Sequence, residues 1–137
     1  MDGFNICIKA HKRIETKHIL ITILQHEIFP SQELCGTINI RYPGRFDSVV
    51  INSQIENSSD IFNFTFINGK KISCSYARLS IWKDDLGNKK DLEFIAITKH
   101  IPLGDYSNAK FRATIIQEHK EIASDIAYIK ILKQIKT

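Results

Sequence analysis

Along most of this chain apolar residues recur at every second position. Ile19, Ile21 and Ile23 fall on one face, and Leu20, Thr22 and Leu24 on the other. Side chains of an extended strand point alternately to its two sides, so the spacing predicts a strand, here over His18–Ile28. Phe4, Ile6 and Ile8 suggest a short strand before it. Leu34–Tyr42 places Gly36, Ile38 and Ile40 inward and Thr37, Asn39 and Arg41 outward. Phe46–Ile55 carries Phe46, Val49, Ile51 and Ile55, with a slip of parity near Ser48 that predicts a bulge or a late strand start. Ile61–Ile67 puts Phe62, Phe64 and Phe66 on one face. Asn68-Gly69 follows at once, and both residues tolerate the positive φ of a type I′ turn, so a hairpin to Lys71–Trp82 is expected. A second slip, near Ala77, again predicts a bulge. Lys83–Lys90 and Pro102–Ser107 read as polar loops. Asp91–Lys99 and Ala109–His119 alternate as strands, and Glu118–Glu121 reads as a turn into the closing segment, Ile122–Ile135. That segment fits a strand. A helix is the alternative, because Ile122, Ile126 and Ile129 also fall at helical spacing.

About eight strands punctuated by turn signals predict an all-β fold, a two-sheet antiparallel β-sandwich in which each sheet buries one face. No linker, repeat or low-complexity stretch divides the chain, and 137 residues is the size of one domain, so residues 1–137 are read as a single β-sandwich domain. Composition adds only a little. Isoleucine outnumbers valine by 25 to two and is β-branched, but Lys and Asn are plentiful too, as an AT-rich genome would also produce.

No uninterrupted apolar run approaches the ~20 residues of a bilayer span. Met1–Ile14 lacks the apolar region and small-residue cleavage site of a secretory signal, and a cytoplasmic location is expected. Cys7, Cys35 and Cys74 sit singly in apolar stretches, as buried free thiols of a reducing compartment would. The triplets Asn57-Ser58-Ser59 and Asn63-Phe64-Thr65 match the glycosylation acceptor and read as chance matches in a chain without a signal. The net charge of +4 is spread among interleaved carboxylates, so it reads as solubility and nucleic acid is not the expected partner.

Chemistry-bearing motifs are sparse. Of His11, His18, His26, His100 and His119, four lie at predicted strand ends or in turns, where a surface histidine is expected. His26 alternates with Leu24 and Ile28 and is expected to be half-buried. No Gly-x-Ser-x-Gly elbow occurs. No His-x-x-x-His or Cys-x-x-Cys supplies a metal site, and no glycine-rich loop supplies a phosphate site, so no metal or cofactor is assigned. Asp47, Asp60, Asp84, Asp85, Asp91 and Asp105 are dispersed through loops, where calcium would need several to converge. The Phe62, Phe64 and Phe66 rings have no Lys or Arg at Ile61, Asn63 or Thr65, so core packing is expected of them rather than base stacking. No enzymatic activity is expected. An unrecognised His-based site beside a nucleophile in a closed pocket stays as one alternative.

The stretch from Phe29-Pro30 through Gly36-Thr37-Ile38-Asn39-Ile40 to Tyr42-Pro43-Gly44 resembles the arrestin-like sandwich and, more broadly, immunoglobulin-like sandwiches. Phe46–Ile55 and the strands from Phe111 onward suit the same pattern. The resemblance implies a non-enzymatic adaptor or scaffold that binds protein tails or membrane-associated partners. Arrestin-like proteins pair two sandwiches and this chain has room for one, so the two-domain mechanism is not carried over. The expected function is a cytosolic binding module that recognises a protein partner through a strand edge or through loop tips. Arg41, Tyr42 and Arg45, around the Pro43-Gly44 turn, are the candidate binding residues. The other alternative is a calcium- or lipid-headgroup-binding sandwich at membrane surfaces, with Lys70, Lys71, Lys89 and Lys90 as its basic face.

Overall fold

The computed structural model describes residues 17–134. The strand expected at Phe4–Ile8, with Cys7 and His11, lies outside the described residues. Among the described residues, ten strands and one helical turn follow one another: β1 (Ile19–Ile23), β2 (Glu27–Ile28), β3 (Leu34–Ile40), β4 (Ser48–Ile55), β5 (Asn63–Ile67), β6 (Lys70–Cys74), β7 (Arg78–Trp82), α1 (Lys83–Leu86), β8 (Asp91–Ile97), β9 (Tyr106–Gln117) and β10 (Lys120–Leu132). They build two five-stranded sheets, ordered β1-β3-β8-β5-β6 and β2-β10-β9-β4-β7. Every pairing is antiparallel except the short parallel one of β2 with β10. The fold is therefore the all-β two-sheet sandwich that the alternation predicts, with two strands more than expected.

The inward faces are those the period-two pattern selects. Leu34, Gly36, Ile38 and Ile40 of β3 are buried, as are Leu92, Phe94 and Ala96 of β8 and Ala109, Phe111, Ala113 and Ile115 of β9. Phe62, Phe64, Phe94 and Phe111 meet between the sheets at centroid distances of 4.8 to 6.2 Å, in tilted and edge-on pairs. Each ring contributes roughly 1.5–3 kcal/mol through burial, and the pair geometry adds about 0.5–1.5 kcal/mol. Gly36 makes room for this cluster: a Cβ there would collide with the Phe94 ring. Core packing of Phe62 and Phe64 is as the sequence predicts. Phe66 is only half-buried, because the β5 register shifts between Phe64 and Phe66.

Several boundaries differ from the sequence reading where the chain changes sheets. His18–Ile28 is not one strand. β1 pairs with β3 in the first sheet, and β2 pairs with β10 in the second. The break at Leu24–His26 is stabilised by the Gln25 side chain, whose Oε1 accepts a hydrogen bond from the Cys35 amide at 2.8 Å. Lys71–Trp82 is likewise two strands, and the parity slip at Ala77 marks a crossover from the edge of one sheet to the edge of the other, not a bulge. The slip near Ser48 is a late strand start, since β4 pairs with both neighbours in unbroken register. Register shifts occur instead in β5 and between Glu121 and Ala123 of β10. Lys83–Lys90 opens with the turn of helix α1, which sends Leu86 into the core and ends at Gly87, φ 61°. The closing segment is strand β10.

Asn68 and Gly69 have φ of 47° and 79°, the two positive values of a type I′ hairpin turn. Glu118 and His119 make a second such turn without glycine, at 49° and 66°. The connections gather at the two ends of the sandwich. One end holds residues 41–47, 68–69, 83–90 and 118–119. The other holds 24–33, 56–62, 75–77 and 98–105.

Candidate functional site

The inward parity of β8 does not stop where the strand stops. Leu92, Phe94 and Ala96 are buried, and Thr98, His100 and Pro102 continue the same side into the loop. Thr98 is held by donating its hydroxyl to the Ile61 carbonyl at 2.8 Å, and its oxygen accepts from the His100 amide at 3.2 Å. His100 is thereby drawn over the open end of the core, where it is only 8% exposed.

Both ring nitrogens of His100 are engaged. Nδ1 lies 2.7 Å from Asp60 Oδ2, and Nε2 lies 2.8 Å from Ser107 Oγ. Ser58 Oγ stands 3.4 Å from Nδ1 and accepts from the Asp60 amide at 2.9 Å, which braces the 58–60 loop. Ser107 is the second residue of β9 and shares the inward parity of Ala109 and Phe111, half-buried at the rim of the core. Three segments distant in sequence thus meet on one imidazole.

The hydrogen bond from His100 holds the Asp60 carboxyl below its ordinary range; desolvation opposes this, and Ser58 assists. An ionised carboxylate only accepts, so the proton of the neutral imidazole sits on Nδ1. In that neutral tautomer Nε2 carries a lone pair facing the Ser107 hydroxyl. Hydroxyl, imidazole and carboxylate stand in the order needed for a nucleophile, its base and the group that orients the base.

The same end carries a groove lined by Phe29, Lys99, Ile101, Asp105, Leu132 and Lys133 among others, and none of the relay residues lines it. Lys99 and Ile101 flank His100 in the chain, and Asp105 precedes Ser107 by two residues. Large apolar side chains stand out of the surface here: Leu103 is 99% exposed, Ile101 69% and Phe29 44%.

The residues singled out in the sequence lie at the opposite end. Arg41 is exposed and donates from Nε to Asn39 Oδ1 at 2.7 Å. Tyr42 is half-buried, its ring over Gly44 and edge-on to His18 at 5.2 Å. Arg45 is largely exposed, 3.8 Å from Asp47. Lys70, Lys71, Lys89 and Lys90 are exposed at that same end. Among the described residues no three His, Cys, Asp or Glu side chains converge on a possible metal position, and Cys35 and Cys74 are half-buried free thiols.

Two histidine expectations are corrected. His26 is exposed, because the chain leaves β1 at Leu24 and the alternation through His26 does not continue in one strand. His100 is buried, although it follows a strand end. Sequence reading missed Asp60, His100 and Ser107 as a group. The legible signal was the unbroken parity Leu92, Phe94, Ala96, Thr98, His100, which places the imidazole on the core side.

No protein-family model matches the chain, and no curated protein matches it in sequence. Solved structures share its fold. The enterotoxigenic E. coli CFA/I adhesin CfaE is similar with a TM-score of 0.55 and 10% identity, over 88% of this chain and 49% of that one, so this chain spans about half the adhesin's length. AvmM, which catalyses macrocyclization in alchivemycin A biosynthesis, is similar with a TM-score of 0.57 and 6% identity over 89% and 93% of the two chains. The human F-spondin reeler domain gives 0.50 and 13% over 86% and 93%. At such identities the likeness establishes the β-sandwich and nothing about activity.

Proposed function

We propose that this sandwich is a binding module of adaptor or scaffold type, working in the cytoplasm and engaging an extended segment of a protein partner at the loop end beside His100. One observation carries the reading: Phe29 and Ile101 are bulky, apolar and exposed in one groove at the loop tips, and Leu103 is exposed two residues beyond Ile101, where a folded chain otherwise places polar residues. The rim of that groove presents Lys99 and Lys133 together with the carboxylate of Asp105. The complementary partner is a segment with apolar side chains and acidic flanks. The opposite end offers less, since Tyr42 is folded onto Gly44 and His18, and Arg41 is held by Asn39. The arrestin-like or immunoglobulin-like kinship belongs to this proposal. Its support is the two-sheet frame with loops gathered at either end. The cytoplasmic part is supported by the free thiols of Cys35 and Cys74.

Selection from a displayed peptide library tests the reading. Apolar sequences flanked by Asp or Glu are expected to be enriched, with binding lost in the Ile101→Ser/Leu103→Ser double variant. Enrichment that is indifferent to the double variant would move the interface elsewhere. Sedimentation with phosphatidylserine vesicles, lost in the same variant, would assign the face to a membrane instead.

A further inference from the structure

Both nitrogens of His100 have partners, and the partners differ in kind. On one side is a carboxylate, which can only accept. On the other is a hydroxyl, which can give up its proton and attack. The Asp60 Oδ2–Nδ1 distance of 2.7 Å and the Nε2–Ser107 Oγ distance of 2.8 Å are both within the range required of a base and its nucleophile in the resting state. The imidazole is buried while Asp60 remains 57% exposed, so the carboxylate can stay ionised as the ring gains and loses a proton. Across β9 and β10, Ser107 pairs with the buried Ile131, so its hydroxyl stands on the core side with the imidazole.

We propose that Ser107 is the nucleophile of an acyl-transfer site for carboxylic esters, with His100 as its base and Asp60 as the residue that positions the base. Ser107 Oγ forms a bond to the acyl carbon and passes its proton to His100 Nε2. The ester C–O bond breaks, and the departing alkoxide takes that proton and leaves as the alcohol. Water then attacks the acyl-serine, giving one proton to Nε2; the carboxylic acid departs and Ser107 recovers its proton. This goes beyond the binding reading. The relay residues and the groove residues are distinct, so either can fail alone.

The test is to treat the intact protein with diisopropyl fluorophosphate and weigh it. A single adduct mapping to Ser107 is expected, absent in Ser107→Ala. Hydrolysis of 4-nitrophenyl butyrate should fall about 100-fold in His100→Gln, the scale of a lost general base. Asp60→Asn should slow labelling and alter its pH dependence, which a merely structural carboxylate would not do. Because His100→Gln could perturb the loop, Ser107→Cys gives an independent reading: paired with His100, its thiol should be alkylated by iodoacetamide faster than Cys35 and Cys74 at mildly acidic pH. An unlabelled Ser107 in folded protein, or an adduct at another residue, would overturn the proposal and leave His100 as a tie between loops.

Discussion

The two ends of the sandwich close the core in opposite ways. At the end bearing Arg41–Asp47, Phe46 and Leu86 turn in as buried members of the core, and Trp82 is the large apolar side chain left exposed among the described residues there. Asp47 fastens that end, with its carbonyl accepting from the Lys83 amide at 2.9 Å and its carboxylate accepting from the Glu118 amide at 2.7 Å. At the other end Phe62 and Pro102 are buried too, but part of the arrangement is inverted. A histidine closes the core, while Leu103 and Ile101 face solvent. Ordinary burial accounts for the first end without further argument. The second places a polar ring inside and apolar chains outside, so its form has to be explained by hydrogen bonding and by what the exposed side chains meet. Departures of this kind from local consistency concentrate at functional sites.

The contrast can be broken or sharpened by substitution. The largest effect is expected at the apolar end, where Phe46→Ala should cost about 3 kcal/mol, read from chemical denaturation. His100→Ala should cost about 2 kcal/mol by the same measurement, because it removes a buried ring and leaves the half-buried Ser107 hydroxyl without its partner. A cost as large as that of Phe46 would make the imidazole a packing element like the plug opposite. The third test is pH. The folded-state pKa of Asp60 is depressed, so its contribution is present above the unfolded carboxylate value and is lost as pH falls through the lower folded value. Asp60→Asn should flatten the acid limb of stability against pH below about 4, leaving the neutral region comparatively unchanged. The smallest effect is expected for Leu103→Ser, within about 0.5 kcal/mol in thermal or chemical melts, since its side chain is already in water. A substantial loss there would mean that the tip packs on something and is not free.

Fold class was legible because strand alternation is a local property. Ile38 and Ile40, Leu92 and Phe94, and Phe111 and Ala113 all face as their parity predicts. Asn68-Gly69 was legible because two consecutive positive φ angles favour those residue types. The Ala77 slip was seen but misread, since one change of parity fits a bulge and a crossover equally well, and only the neighbouring strands decide between them. The candidate site was less legible. Ser58, Asp60 and Ser107 look like ordinary loop and strand-edge polar residues until they share an imidazole.

What the sequence by itself determined, then, was an all-β chain with its inward faces and its first hairpin turn, because each depends on residues close together along the backbone. Tertiary structure alone decided that β1 and β2 belong to different sheets, that β6 and β7 occupy opposing edges, and that His100 bridges residues 40 positions before it and seven after. Those outcomes rest on hydrogen bonds and packing between distant segments, and period-two alternation carries no information about which distant segment will be the partner.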